Sequence, residues 1–97
     1  MNPVLSIIII NFRQKEFTLN CVKSVFENIR TSDFEVIIIN NSPEDDLSGL
    51  EKEFQGIRII PNSNKGFSQA NNLGAKHAGG KYLFFLNADT VLRSDFT

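Results

Sequence analysis

The sequence predicts an α/β fold: an open, doubly wound, mostly parallel sheet of four strands flanked by helices. Two observations carry that expectation. Four short runs, Val4 to Ile10, Glu35 to Ile39, Ile57 to Ile60 and Tyr82 to Leu86, are rich in Ile, Val and Phe and lack polar alternation. Strands buried on both faces of a parallel sheet have this pattern. Helical patterns lie between the runs, so the order strand, helix, strand, helix, strand, helix, strand implies right-handed crossovers. Four strands are too few for a closed eight-stranded barrel.

After the first run, Leu19, Val22, Val25, Phe26 and Ile29 fall at the three-and-four spacing of a helix buried along one stripe. After the second, Ser42 suits a cap, Pro43 the first helical position, and Asp45 completes a Ser-x-x-Asp box ahead of Leu47, Leu50 and Phe54. A third helix, over Ser68 to Ala78, puts Phe67, Ala70, Gly74 and Ala78 on one side, and Gly79-Gly80 reads as its C-terminal stop. Small residues on that side let the helix backbone approach the sheet closely.

The chain has 97 residues, 41% of them hydrophobic and 22% charged, which fits one globular domain and argues against a disordered or disulfide-scaffold chain. Ten basic against eleven acidic residues leave a net charge of -1, so no basic field attracts nucleic acid, and a polyanionic ligand needs local donors or a metal. The single cysteine, Cys21, excludes an internal disulfide and a thiol-based zinc cluster, and it reads as a buried helix residue. No apolar run approaches the roughly 20 residues of a membrane span, and the N-terminus lacks the features of a signal peptide. The expected location is cytoplasmic, with membrane association of the full-length protein as the alternative.

In an open parallel sheet, ligands bind beyond the carboxyl ends of the strands, near the point where strand order reverses. The four predicted strands run into Asn11, into Asn40-Asn41, into Asn62-Ser63-Asn64 and into Asn87-Ala88-Asp89. Asparagine is a common turn residue, yet four such ends at one rim also offer uncharged donors and acceptors for a base or sugar edge. Asn87 and Asp89 are two residues apart, which aims both side chains the same way in extended chain. Their oxygens suit Mg²⁺ or Mn²⁺ when a diphosphate supplies the remaining ligands; the alternative role for Asp89 is a cap. The polar stretch from Asn62 to Gly74 leads into a helix, whose N-terminus attracts phosphate, but it contains neither a P-loop nor a Gly-x-Gly-x-x-Gly fingerprint. Lys65 reads as a solvated lysine, and His77 as a surface histidine without a catalytic role.

Taken together, Ser6 to Phe12, Val36 to Ser42, Asn64 to Phe67 with Ala70 to Gly74, and Tyr82 to Thr90 resemble the N-terminal, nucleotide-binding half of glycosyltransferase family 2, in its rhamnosyltransferase-like branch. The resemblance covers Leu5 to Phe96. It implies a GT-A fold, a single nucleotide-diphospho-sugar-binding domain over residues 1–97, a UDP- or dTDP-linked sugar donor, a divalent cation, and inverting transfer to the hydroxyl of a saccharide or lipid-linked acceptor. By resemblance, Asn11, Asn40, Asn41, Asn64, Gly66 and Asn72 serve the donor, and Asn87 and Asp89 occupy the Asp-x-Asp metal position. Asn40 stands where the family usually has an aspartate, and Asn87 replaces the first acid of the metal pair. Family members continue into an acceptor-binding half with the catalytic carboxylate base, to which nothing up to Thr97 corresponds. This piece alone is therefore expected to be inactive, with an exposed sheet side that invites self-association. The alternative function is a non-catalytic α/β module derived from such an enzyme.

Overall fold

A computed structural model describes residues 3–29, 33–63 and 65–90. Its elements are β1 (Leu5–Asn11), α1 (Lys15–Asn28), β2 (Phe34–Asn40), α2 (Gly49–Glu53), β3 (Ile57–Pro61), α3 (Phe67–His77) and β4 (Tyr82–Leu86). The strands form one sheet in the order β3-β2-β1-β4, and every pairing is parallel. The chain moves outward from β1 to β3 and then crosses back to β4, so strand order reverses between β1 and β4. As expected, this is an open sheet with helices on both faces.

The two central strands hold the core. Ile7, Ile9, Val36 and Ile38 face α1 and α2, where they meet Val22, Val25, Leu47 and Leu50. Ile8, Ile37 and Ile39 face α3 and meet Ala70 and Leu73. Both sets are buried, which explains runs without polar alternation. The edge strand β4 is less covered, with Leu83 43% and Phe85 46% exposed. No helix among the described residues is long and apolar enough to cross a membrane.

Two helices depart from expectation. The Ser42-x-x-Asp45 box does not start a helix: residues 43–45 form a turn closed by Asp45 N–H donating to Ser42 C=O at 2.8 Å. The helix that follows is only five residues long. Its start is fixed instead by Asp46, whose Oδ1 accepts from the Ser48 N–H at 3.0 Å and the Ser48 hydroxyl at 2.7 Å. On α3, Ala70 and Gly74 are buried as expected, but Phe67 is 61% exposed. Gly79 and Gly80 do not form a left-handed stop, because the only glycines with positive φ among the described residues are Gly56 and Gly66. Gly80 is needed for close approach: its N–H donates to Ser6 Oγ at 2.8 Å, and a Cβ there would lie 2.7 Å from the Ser6 backbone nitrogen.

Glu35 ties this pole of the sheet together. Its Oε2 accepts from the Ser6 hydroxyl at 2.6 Å and the Gly79 N–H at 2.7 Å, and Oε1 meets the Arg58 guanidinium at 3.3 Å. Burial pushes the Glu35 carboxyl up, but Ser6, Gly79 and Arg58 together outweigh it and hold the carboxyl below its ordinary value. A depressed folded-state value stabilises the fold above the unfolded glutamate's pKa of about 4.3, and that stabilisation disappears as pH falls through the folded value. Glu35→Gln should therefore melt below the parent at pH 7, and the gap should shrink in melts below about pH 4. A gap independent of pH would show that the ionised carboxylate does not stabilise the fold.

Candidate functional site

The strands end in a rim of interlocked asparagines. Beyond the last paired residues the ladders continue, with Asn41 N–H donating to Asn11 C=O at 2.8 Å and Asn62 N–H to Asn40 C=O at 2.9 Å. Side chains then bond across the sheet: Asn11 Nδ2 donates to Asn40 Oδ1 at 2.9 Å, and Asn62 Nδ2 to Asn41 Oδ1 at 2.7 Å. Three of the four strand ends read from sequence are therefore joined to each other.

Asn11 is the hub. It is 0% exposed, and besides Asn40 its Nδ2 lies 3.0 Å from both Ser42 Oγ and Asp45 Oδ2. Its Oδ1 accepts from the Thr18 hydroxyl at 2.7 Å. Both polar atoms of the side chain are thus engaged inside the protein. Asn40 is also buried, and its Nδ2 donates to Asp45 C=O at 3.0 Å. Hydrogen bonds from Asn11 and then Ser42 hold the Asp45 carboxyl below the usual carboxylate range. Thr18, Ser42 and Asp45 belong to this network without having been marked by sequence reasoning as part of the site. The Ser42-Asp45 spacing was the available signal, but it equally describes a helix cap.

Through this network the loop after β2 fixes the turn after β1. The Arg13 N–H donates to Ser42 Oγ at 2.9 Å, and Arg13 has φ 54°. Its guanidinium lies 5.1 Å from the centroid of the Phe12 ring. On the outer side, beyond β2 and β3, a cavity of about 310 Å³ is lined by Asn40, Pro43, Leu47, Ile59 and Pro61 together with the acids Asp45, Asp46 and Glu51.

Asn87 and Asp89 are both exposed just past β4, with buried Ala88 between them. Thr90 N–H donates to Asn87 C=O at 3.0 Å, closing a turn. Cys21 of α1 lies beneath, its thiol directed to Asn87 C=O at 3.6 Å. Burial first, and the Asp89 charge second, push that thiol up to about 12, the direction expected of a buried structural cysteine. One amide and one carboxylate oxygen form a hard donor pair suited to Mg²⁺ or Mn²⁺. Among the described residues no group of three His, Cys, Asp or Glu side chains is placed to hold a metal. The expectation that both side chains point the same way rests on extended chain, whereas residues 87–90 form a turn.

Of the other residues marked from sequence, Gly66 precedes α3 with φ 98° and is exposed. The N-cap position of α3 is that glycine, which has no side chain to serve as a cap. Asn72 is exposed on α3, and Asn64 lies outside the described residues. Lys65 and His77 are exposed, as a solvated lysine and a surface histidine would be.

Comparisons with known proteins converge. Residues 6–96 match the description Glycosyl transferase family 2. An uncharacterized glycosyltransferase of Rickettsia conorii is 35% identical over 95 residues, covering 94% of this chain and 15% of that protein. Staphylococcus aureus TarS 1-349 in complex with UDP superposes with a TM-score of 0.80 at 15% identity, over 95% of this chain and 29% of its own. A mannosyltransferase of Pyrobaculum calidifontis in complex with GDP-Man and Mn²⁺ gives 0.81 at 14% identity, over 94% and 29%. The chain thus spans a minor part of the proteins it resembles, and the two structures share its fold.

Proposed function

The chain belongs to glycosyl transferase family 2, and from that premise we propose that it forms the donor-binding part of such an enzyme. The observation that carries this reading is the exposed Asp89 carboxylate past the end of β4, where strand order reverses beside β1. Ligands of open parallel sheets bind at such a reversal. The acids around the β2–β3 cavity repel phosphate, which favours the β1–β4 side for the anionic end of the donor. Two solved structures of the same fold hold UDP in one case and GDP-Man with Mn²⁺ in the other, in support of a nucleoside diphosphate sugar as ligand.

In this proposal Asn87 and Asp89 hold a divalent cation jointly with the diphosphate. Such a cation, when bound, offsets the negative charge that develops on the leaving diphosphate. The start of α3 after Gly66 offers backbone N–H groups to the same anion, and Asn64 and Asn72 complete the donor contacts; Asn41, 4% exposed and bonded to Asn62, braces the rim. Asn11 and Asn40 act as positioning residues that hold the rim from behind. Inverting transfer to an acceptor hydroxyl then requires an acceptor and a general base, neither of which we assign to a residue of this chain.

Calorimetric titration with UDP, dTDP and GDP, each with and without Mn²⁺, tests the reading. Metal-dependent binding is expected for the parent, and Asp89→Ala should weaken it by about tenfold or more, as loss of a charged ligand implies. Equal metal-dependent affinity in parent and variant would remove Asp89 from the site.

A further inference from the structure

We propose that Arg13 binds the diphosphate of the donor, its guanidinium carried on a left-handed turn that the buried Ser42 hydroxyl holds in place. The inference rests on the donor-site reading above and adds to it a residue that neither the sequence patterns nor the metal pair marks. Arg13 is the only non-glycine residue with positive φ among the described residues. That conformation is costly for a side chain with a Cβ and free of cost for glycine. A glycine would satisfy the backbone equally well, so the side chain, not the turn, is what arginine supplies. Strain retained in this way marks functional positions when the surroundings enforce it. Here the enforcement is visible: Arg13 N–H donates to Ser42 Oγ at 2.9 Å, and Ser42 is 1% exposed within the Asn11–Asp45 network.

The guanidinium is open to a ligand, although the Asp45 carboxylate also attracts it. Arg13 is exposed, its charged group rests against the Phe12 ring, and it forms no ion pair with a described residue. It follows β1 by two residues, and β1 lies between β2 and β4. Arg13 is therefore at the centre of the rim, with carboxylates around the cavity on the β2–β3 side and Asp89 past β4 on the other. A planar, permanently charged fork suits phosphate oxygens. It would also supply the positive charge that a chain with net charge -1 does not provide through its overall field.

The test uses the whole chain with UDP and with uridine, each in Mn²⁺, and compares the parent with Arg13→Gly and Arg13→Lys. Glycine keeps the left-handed turn, so Arg13→Gly should fold with an unchanged dichroism spectrum and melt no lower than the parent. It should bind UDP about tenfold or more weakly and uridine as the parent does, and Arg13→Lys should recover part of the loss. UDP affinity unchanged in Arg13→Gly overturns the inference while leaving the donor site standing. Equal losses for UDP and uridine overturn the assignment to the diphosphate. If the parent binds neither UDP nor uridine, the donor-site reading fails and this inference with it.

Discussion

Replacing Asn11 with alanine should lower the unfolding free energy by about 3 kcal/mol, and the remaining folded protein should bind nucleotide more weakly. One carboxamide here joins four side chains from three segments: Thr18 of α1, Asn40 at the end of β2, and Ser42 and Asp45 in the following loop. Its removal leaves the Thr18 hydroxyl, at 0% exposure, without an acceptor and takes a donor from the Asp45 carboxylate. Each group orphaned out of reach of water costs about 1–3 kcal/mol, and water entering the vacated space recovers part of the sum. Thr18→Val removes a single hydrogen bond of the same network and should cost about 1 kcal/mol. Urea denaturation of both variants at neutral pH measures the difference. A loss for Asn11→Ala no greater than for Thr18→Val would mean that the loop after β2 is held by its own turn, not by Asn11. The effect on binding follows from the same bonds, because Ser42 also fixes Arg13: without Asn11 the turn that carries the guanidinium loses its anchor. Asn11→Asp preserves the shape but would set a second carboxyl 3.0 Å from Asp45 Oδ2, so its defect should be smaller where one of the two is protonated.

The four strands were legible in the sequence because a strand buried on both faces leaves a local mark, a short unbroken run of Ile, Val and Phe. Each observed strand lies within a residue or two of its run, and the one-striped pattern of Val22 and Val25 likewise located α1. The failures share a cause in distance along the chain. Ser42 and Asp45 have the spacing of a helix cap, and what redirects them is Asn11, 31 and 34 residues earlier. Gly79-Gly80 has the composition of a helix stop, and what gives Gly80 its purpose is Ser6, 74 residues earlier. At the rim, sequence located the asparagines but not their direction. An amide that faces a ligand and one that faces another asparagine have the same local surroundings in the chain, and the partners that decide between them are 29 and 21 residues away. Arg13 left no local signal, since nothing in Phe12-Arg13-Gln14 demands a left-handed residue.

The same separation predicts which glycine is least replaceable. Gly74→Ala and Gly80→Ala both place a Cβ 2.5 Å from another atom, but the atoms differ in kind. At Gly74 the nearest contact is Ile8 Cγ2, a side-chain methyl that can move at a cost of about 1–3 kcal/mol for an overpacked core. At Gly80 the contacts include the Ser6 backbone nitrogen at 2.7 Å and the Leu5 carbonyl carbon at 2.9 Å. Those belong to β1, which is paired with β2 on one side and β4 on the other, so they cannot retreat without breaking a ladder. Gly80→Ala should therefore be the more damaging, by about 3 kcal/mol or more, and Ser6→Ala should rescue little, because it relieves only the hydroxyl contact. The damage should extend to the site. Gly80 sits just ahead of β4, whose register with β1 runs from Leu5↔Tyr82 to Ile9↔Leu86, and a slip of one residue would invert the faces of β4 and carry Asp89 away from its place beside the end of β1. Below their melting temperatures, Gly80→Ala should thus have lost metal-dependent UDP binding while Gly74→Ala retains it. The reverse order of stabilities would show that β4 is registered by its own side chains and not by the close approach at Gly80.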